Sequence, residues 1–292
     1  MSTINNLNVD RENTTTLDYD STAYDAYRPT YSSRLYTKIY EYHTSHSSSF
    51  STALDVATGT GCVARELSKT FQQVYANDIS QDMISSASAF NSSNIQYSIS
   101  AAEDLSQFKD STIDLVTVAT ALHWIDCEKF FKEAWRVLKQ NGTLAIFGYS
   151  SFHIVNGYPA ATKEFKKFTL ETFGDYFDPR MVLIDNMYRD IVIPDELFKN
   201  IIWERNEYNE KEGNMNDGEC YLNKEWSVEQ LKNFMKSWSF YRSYMSKCQK
   251  ENQKIEDPVD KLFEKLKEKE GWKDEQILKI SWSFVLGLAE KN

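Results

Sequence analysis

The strongest constraint on the fold of this chain is a glycine-containing segment, residues 55–61, which reads Asp-Val-Ala-Thr-Gly-Thr-Gly. An apolar run at 53–57 leads into it, and a helical pattern follows it. The next apolar run, 73–77, is followed directly by Asp78. A strand, a glycine turn, a helix and a second strand form one unit of a parallel sheet, and the turn of such a unit meets ligands at the carboxyl edge. The segment therefore predicts a ligand-binding α/β domain.

The same alternation of apolar runs and helical periods continues from residue 52 to residue 150. It is typical of a parallel sheet with crossover helices, so the predicted fold class is α/β with a doubly wound, Rossmann-like sheet. One crossover helix is predicted to begin at an Asp126 cap and to end at Asn141-Gly142. The runs expected to form strands are 53–57, 73–77, 95–99, 113–118 and 143–148.

Changes in composition predict four regions along the chain. Residues 1–18 are polar and are expected to form a disordered tail, whereas 19–51 carry helical spacing and are expected to form helices that cover the ligand. The sheet is expected over 52–150. Residues 151–292 are rich in aromatic and charged residues and predict a helical region that shapes the acceptor site and whose final elements return to the sheet. The run 277–288 fits either a strand that returns to the sheet or a closing helix.

One helix in the last region carries two clear signals. Ser227 and Gln230 have the spacing of a capping box at its start. An apolar stripe with helical spacing follows and predicts one continuous helix. The stripe consists of Leu231, Phe234, Met235, Trp238 and Tyr241.

Charge and cysteine spacing exclude several classes of function. The net charge of −10 argues against the basic surface that nucleic-acid binding requires. No apolar stretch is long enough to span a bilayer, and the first residues lack the pattern of a secretory leader, so we expect a cytoplasmic protein. The cysteines lack the paired short spacing of a zinc site, so we expect reduced thiols and no metal. They are Cys62, Cys127, Cys220 and Cys248.

The glycine segment and the acid after it predict an adenosine cofactor. Asp78 lies 19 residues after Gly59, where a carboxylate can accept hydrogen bonds from both ribose hydroxyls. Gly59, Gly61 and Ala64 also satisfy the pattern of nicotinamide enzymes, so an NAD-dependent oxidoreductase is an alternative. No tyrosine is followed four residues later by lysine, so the pair used by short-chain dehydrogenases is missing. Asp55, ahead of the loop, is placed to help hold the methionine end of a methyl donor.

Several further segments, taken together with the loop, resemble one enzyme family. The chain is similar, from about Tyr24 onward, to the class I S-adenosylmethionine (SAM)-dependent methyltransferases, and among them to the trans-aconitate and related yeast small-molecule methyltransferases. It departs from the family at Ala57, where the first loop glycine is usual; alanine is expected to be tolerated if its φ is negative. The segments that carry the resemblance are Tyr24 with Tyr27-Arg28-Pro29 and Tyr31, residues 55–61, Asp78-Ile79-Ser80 with Met83-Ile84, and residues 102–105, 121–126, 145–149 and 237–241.

The resemblance implies SAM as the cofactor and assigns residues to it. Asp78 is expected to bind the ribose, and the backbone of Gly59 and Ala119 to meet the methionine part. Adenine is expected to lie among Ile79, Met83, Ala102 and Glu103. The remaining loop positions assigned to the cofactor are Asp55, Ala57 and Gly61.

The chemistry of methyl transfer suggests further candidates. A carboxylate acceptor is already ionised near neutral pH, whereas a hydroxyl acceptor benefits from a base. His123, after the fourth strand, is the candidate catalytic residue, with a structural role as the alternative. Tyr24 and Tyr27 are candidates to cover the sulfonium with their rings, and Arg28 to pair with a carboxylate of the donor or the acceptor. The residues expected at the acceptor are Tyr27, Trp124, Tyr149, Trp238 and Tyr241, while Arg180, Arg189 and Arg242 are alternative partners for a carboxylate.

The function predicted from these observations is methyl transfer from SAM to a small molecule, with O-methylation of a carboxylate such as trans-aconitate as the preferred reaction. A phenol, quinone or lipid-like acceptor is an alternative, as are an NAD-dependent oxidoreductase and a non-catalytic adenosine-binding module. The sequence leaves the oligomeric state open.

Overall fold

A computed structural model describes residues 29–90, 92–209, 211–216, 221–252 and 255–292 of the chain. The elements up to the fifth strand are α1 (Ser33–Thr44), β1 (Thr52–Val56), α2 (Cys62–Leu67), β2 (Gln73–Asp78), α3 (Gln81–Ser88), β3 (Ile95–Ile99), β4 (Ile113–Ala119), a 3₁₀ turn (Leu122–Trp124), α4 (Cys127–Val137) and β5 (Leu138–Ile154). They are followed by α5 (Pro159–Phe173), a 3₁₀ turn (Gly174–Tyr176), α6 (Met181–Asp185), β6 (Phe198–Asn206), β7 (Tyr208–Asn209), β8 (Asn214–Met215), β9 (Asn223–Ser227), α7 (Val228–Lys236), α8 (Ser239–Lys250), α9 (Pro258–Glu270) and β10 (Ile277–Lys291).

The central sheet has the strand order β3-β2-β1-β4-β5-β10-β6, and β9 pairs with β10. Strands β1 to β5 are parallel, which confirms the predicted doubly wound α/β core. The chain moves outward from β1 to β3 and then crosses back to place β4 on the other side of β1. The strand order therefore reverses between β1 and β4, and ligands bind beyond the carboxyl ends of strands at such a reversal.

The run at 277–288, which the sequence left open, is a strand. β10 is antiparallel to both of its main neighbours, β5 and β6. Its residues are buried almost without interruption from Leu278 to Lys291, because it lies inside the sheet. A strand covered on both faces has no need of alternating polar residues, and this explains why its pattern did not distinguish a strand from a buried helix.

The crossover helix α4 ends earlier than predicted. Asp126 caps its start, accepting a hydrogen bond from the backbone N–H of Lys129, as expected. The helix stops at Val137 rather than at Asn141-Gly142, because the carbonyls of Arg136 and Val137 accept hydrogen bonds from the loop ahead of β4. Asn141, with φ of 57°, lies inside β5 as a left-handed residue.

The region after residue 150 contains the expected helices, and its final element, β10, lies in the sheet as expected, but the strands β6 to β9 were not predicted. β6, β9 and β10 lie in the main sheet. The predicted capping box of Ser227 and Gln230 is present at the start of α7. The apolar stripe, however, is shared by two helices: α7 ends at Lys236, and Trp238, in an extended conformation, caps α8. The Ser237 hydroxyl helps to end α7 by donating to the carbonyl of Phe234 at 2.6 Å.

Candidate active site

A cleft of about 2430 Å³ opens at the carboxyl edge of the sheet. One side is formed by the ends of β1, β2 and β4, and the other by β5, α5, α8 and the segment 174–185. This volume exceeds the roughly 300–1,000 Å³ of an ordinary small-molecule pocket. The cleft therefore has room for two ligands side by side.

The glycine loop after β1 holds three residues in the left-handed conformation. Gly59 and Gly61 have φ of 57° and 83°, which glycine adopts without strain. Ala57 has φ of 53°, so the negative φ under which alanine was expected to be tolerated here is not present. The turn is closed by the backbone N–H of Thr58, which donates to the carbonyl of Asn77 on β2 at 2.9 Å.

The two loop glycines have different surroundings. A Cβ added at Gly59 would meet no atom within 4 Å, so this backbone is open to a ligand in the cleft. A Cβ at Gly61 would lie 2.6 Å from the hydroxyl of Tyr97. Gly61 thus packs behind the loop, and of the two glycines only Gly59 borders the cleft.

Asp78, at the end of β2, joins the loop to the next helix. Its Oδ2 accepts from the backbone N–H of Gly59 at 2.9 Å, and its Oδ1 accepts from the N–H of Ser80 at 2.9 Å. A carboxylate has about four acceptor positions, so these bonds leave room for others. Asp78 lines the cleft, where the remaining positions can accept from a ligand's hydroxyl groups.

Asp55, at the end of β1, is buried under the loop. Its Oδ2 accepts from the Thr58 hydroxyl at 2.5 Å, and its Oδ1 accepts from the Thr117 hydroxyl at 2.7 Å. Burial raises the pKa of Asp55 to about 6, and the negative charge of Asp78 acts in the same direction. The carboxyl group therefore organises the loop, and a cation bound in the cleft would favour its ionised form.

The residues assigned to adenine come together on one wall of the cleft. Ile79 is 75% exposed there, an unusual state for an isoleucine, while Met83 and Ala102 are buried beside it. Glu103 also borders the cleft, and its Oε1 accepts from the backbone N–H of Asp126 at 2.8 Å. Ala119, at the end of β4, lines the cleft as well. The wall has the apolar surface that a flat aromatic base can cover.

His123, in the 3₁₀ turn after β4, is 3% exposed and lines the cleft. Its Nδ1 lies 3.0 Å from the hydroxyl oxygen of Tyr188. Burial lowers the pKa of His123 to about 4, with a smaller contribution from Arg180, while Asp178 opposes the shift. The imidazole is therefore neutral at physiological pH.

The aromatic residues predicted at the acceptor also reach the cleft. Trp124, Tyr149, Trp238 and Tyr241 all line it. The hydroxyl of Tyr241 donates to Asp257 at 2.6 Å, so its ring can form part of the wall while its polar group is engaged elsewhere.

The three candidate arginines have different surroundings. Arg180 binds both carboxylate oxygens of Asp178 and stacks on Trp124, with its guanidinium carbon 4.7 Å from the ring centroid. Arg242 borders the cleft. Arg189 instead forms an ion pair with Glu207 and is not among the cleft residues, so it is not brought to the acceptor side.

Tyr24, Tyr27 and Arg28, predicted to cover the cofactor, and Cys220 lie outside the described residues. In the part of the chain that is described, no cluster of three metal-ligating side chains occurs, and no helix is long and apolar enough to cross a membrane.

Sequence reasoning gave no site role to Tyr31 and Thr120, which line the cleft, or to Tyr188, which is buried against His123. The Tyr31 hydroxyl lies 2.7 Å from the Thr120 hydroxyl, beside the loop end of β4. Tyr188 reaches His123 from a turn in which Met187 and Tyr188 both have positive φ. Tyr31 stood in a visible tyrosine pattern, but left-handed backbone at Met187 and Tyr188 has no signal in the sequence.

Comparison with known proteins gives a consistent result. Residues 54–146 match the model of a family described as a methyltransferase domain. A Dictyostelium discoideum protein provisionally named as a methyltransferase is 35% identical over 172 residues, or 59% of this chain and 63% of that protein. The match thus spans less than two thirds of that relative. A Saccharomyces cerevisiae protein, named probable S-adenosylmethionine-dependent methyltransferase CRG1, is 26% identical over 295 residues, or 94% of this chain and 96% of that protein.

A solved structure shares the fold. It is from Anaeromyxobacter dehalogenans, is provisionally described as a type II methyltransferase, and superposes with a TM-score of 0.68 and 18% sequence identity. The superposition covers 90% of this chain and 97% of that chain.

Proposed function

We propose that this chain transfers a methyl group from SAM to a small-molecule acceptor. The proposal starts from the match of residues 54–146 to the methyltransferase domain family, which is of the class I SAM-dependent type. One observation carries the proposal: Asp78 is bonded to the backbone of Gly59 and lines the cleft beside it. The family match also favours SAM over the nicotinamide cofactor that the glycine spacing alone allowed.

The residues present fit SAM. The open backbone at Gly59 lets a ligand approach closely, and Asp78 retains acceptor positions for ribose hydroxyls. Asp55 is placed to stabilise a positive charge near the loop, and Ile79 offers an apolar surface for adenine. SAM, when bound, supplies an electrophilic methyl group on a sulfonium. The chain's own contribution is to hold the acceptor in line with that methyl group, and alignment alone is worth an effective concentration of up to ~10⁵–10⁸ M.

For the acceptor, we propose a small carboxylate of the trans-aconitate type. Its attacking oxygen is ionised at neutral pH, so the reaction needs no base. The neutral state of His123 agrees with this, since a buried imidazole with a pKa near 4 is a weak proton acceptor. Arg242 contributes positive charge to this side of the cleft, whereas the charge of Arg180 is balanced by its ion pair with Asp178.

A larger, lipid-like acid is a second candidate. One specific observation favours it: the apolar lining of the cleft extends beyond the aromatic residues predicted at the acceptor and includes Phe152, Phe165 and Trp282. The cytoplasmic location remains a prediction from the sequence.

The first experiment is calorimetric titration of the full chain with SAM, S-adenosylhomocysteine and NAD(H). We expect the two sulfur nucleosides to bind and NAD(H) not to bind. Asp78→Ala is expected to weaken SAM binding by about 1.5–3 kcal/mol, because a charged hydrogen-bond acceptor is lost. Asp82→Ala, which removes an exposed carboxylate from the first turn of α3, is the matched control and should leave SAM affinity nearly unchanged.

Methyl incorporation into trans-aconitate then tests the acceptor. Binding of NAD(H) alone, or equal SAM affinity in Asp78→Ala and the wild type, would contradict the cofactor assignment. SAM binding without methylation of trans-aconitate would contradict the acceptor and leave the cofactor assignment standing.

A further inference from the structure

The contact between His123 and Tyr188 determines which ring nitrogen of His123 carries the proton. Tyr188 is completely buried, and its hydroxyl oxygen lies 3.0 Å from Nδ1 of His123. One of the two groups must donate to the other. Which one donates determines the nitrogen that carries the proton, and therefore what His123 can do in the cleft.

Burial decides the direction of this hydrogen bond. Burial strongly raises the pKa of Tyr188, so the phenol keeps its proton. The backbone N–H groups of His123 and Leu122 also act on the hydroxyl oxygen as donors, and among the described residues Nδ1 of His123 is the one acceptor recorded for the phenol proton. If His123 donated from Nδ1, the phenol proton would be buried without an acceptor, an unfavourable state that folded proteins avoid. Tyr188 therefore donates, and Nδ1 of His123 accepts.

The backbone holds Tyr188 in this position. Met187 and Tyr188 both have left-handed φ angles, 52° and 53°, which costs energy for residues other than glycine. The turn is secured by Arg205, whose Nε donates to the carbonyl of Met187 at 2.8 Å, and by the N–H of Tyr188, which donates to the carbonyl of Leu183 at 2.8 Å. Strained backbone of this kind persists where the surroundings fix it, and it occurs frequently at functional sites.

The other ring nitrogen of His123 is available to a ligand. The ring lines the cleft. Some buried polar side-chain atoms of the described residues have no hydrogen-bond partner, and Nε2 of His123 is not one of them. With Nδ1 accepting, a neutral imidazole carries its proton on Nε2. The charged groups that act on the ring are Arg180 and Asp178, which form an ion pair with each other. This nitrogen can therefore donate a hydrogen bond into the cleft but cannot accept a proton.

We propose that His123 is a hydrogen-bond donor to the acceptor molecule and not a general base, and that Tyr188 is a positioning residue which fixes the Nε2–H tautomer. This inference rests on the proposed function, because it assigns the acceptor as an anion. The donor binds the carboxylate oxygen that is not methylated. Transfer to the other oxygen forms an O–C bond while the donor's C–S bond breaks with its electron pair kept on sulfur, so no proton has to be removed.

Nitrogen NMR of the imidazole side chains tests the tautomer without any acceptor. The chain has four histidines, and the other three provide internal references. We expect His123 to be protonated on Nε2, unprotonated on Nδ1, and still neutral at pH 5. Protonation on Nδ1, or titration near pH 6.5, would overturn the proposal.

In Tyr188→Phe we expect a mixture of tautomers and a higher His123 pKa, because the group that stabilised the neutral form is lost. Tyr42→Phe, which removes a hydroxyl bond to the carbonyl of Asn200, is the control and should not change the His123 signals.

Kinetics with SAM and trans-aconitate separate a donor from a base. His123→Gln retains an N–H donor but no useful base, so kcat/KM is expected to stay within about tenfold of the wild type. His123→Leu loses the donor, and the loss is expected to be roughly 10–100-fold, mainly in KM, because the bond is made to the bound acid before transfer. Equal losses of ~10²–10⁴-fold in kcat for both variants would identify a base and overturn the inference. If wild-type protein binds SAM but does not methylate trans-aconitate, the proposed acceptor is wrong, and the NMR result still decides the tautomer.

Discussion

At the scale of single residues, the glycine loop contains an alanine in a conformation that suits glycine. Left-handed backbone costs an L-residue about 1–2 kcal/mol, and Ala57 has a φ of 53°. The strain lies in the turn that borders the cleft, next to Thr58, whose backbone N–H closes the turn. The loop therefore stores energy at a position whose conformation glycine would adopt without strain.

Ala57→Gly is expected to stabilise the protein by about 0.5–1 kcal/mol. Glycine relieves the strain of the left-handed backbone, but part of this gain is offset because glycine gives the unfolded chain more backbone entropy. The free energy of unfolding in denaturant measures it. Ala64→Gly, a buried position inside α2, is the control and is expected to destabilise the protein. A destabilised Ala57→Gly would show that the alanine side chain contributes packing that outweighs its strain.

Asp55 predicts a link between SAM binding and pH. Its pKa of about 6 means that the carboxyl group is partly protonated near pH 6, and the positive charge of SAM favours the ionised form. SAM affinity is therefore expected to rise with pH through this range, with release of up to about half a proton per SAM at pH 6. Calorimetry in two buffers of different ionisation enthalpy measures the release. Asp55→Asn should abolish it and Asp82→Asn should not; release that persists in Asp55→Asn would assign the proton to another group.

At the scale of elements, the pairing of β10 with β6 places the ring of Trp203 directly against Gly287. A Cβ added at Gly287 would lie 2.6 Å from the ring of Trp203, the residue on β6 that pairs with Gly287. Glycine is required here by close packing across the two strands. The sequence placed Trp203 in a predicted helical region, and only the strand pairing shows what its ring covers.

Gly287→Ala is expected to destabilise the protein by about 1–3 kcal/mol through overpacking. Trp203→Leu is expected to remove much of that penalty in the double variant, since the two residues are in contact. Thermal or denaturant unfolding of both single variants and the double variant measures the coupling. Gly174→Ala, where a Cβ would meet no atom within 4 Å, is the control and is expected to be neutral or slightly stabilising. Additive effects of Gly287→Ala and Trp203→Leu would contradict the proposed contact.

Local patterns predicted some elements well and others poorly, for identifiable reasons. The Ser227 cap, the Asp126 cap and the glycine turn at 55–61 depend on residues close in sequence, and each was recognisable. The end of α4 at Val137 depends on hydrogen bonds from the loop ahead of β4, which no helix-ending residue signals. β10 could not be assigned because burial on both faces removes the alternation that identifies a strand.

At the scale of the whole molecule, two buried groups give opposite contributions to stability in acid. His123 is neutral in the folded state down to about pH 4 but charged in the unfolded chain below about 6.5, so acid favours unfolding. Asp55 is protonated in the folded state below about pH 6 but ionised in the unfolded chain down to about 4, so its contribution becomes more favourable as the pH falls. Each effect is worth about 3 kcal/mol, from shifts of roughly two pKa units.

Asp55→Asn is therefore expected to lose stability more steeply than the wild type between pH 6.5 and 4, because the opposing contribution is gone. His123→Gln is expected to lose it less steeply. Burial also lowers the pKa of His43 and His46, which keeps part of the acid dependence in every variant. The free energy of unfolding measured at half-unit pH steps gives the slopes. A wild type and an Asp55→Asn variant with parallel profiles would contradict the assignment to Asp55.

The site as a whole was only partly accessible to sequence reasoning. The cofactor wall could be assembled from the order of the strands, because the carboxyl ends of β1, β2 and β4 meet at one edge. The acceptor side could not, since it joins β5, α5, α8 and the segment 175–185, which are far apart in the chain and carry no shared motif.

The position of β10 in the sheet has a consequence for biosynthesis. Thr143 on β5 pairs with Glu290, and Ile154 pairs with Ile280, so β5 is translated long before its partner emerges from the ribosome. Until then, β5 presents an unpaired edge with a strongly apolar sequence, and such edges associate with other chains. The β5 edge is therefore the part of the sheet most open to association with other chains until β10 has been made.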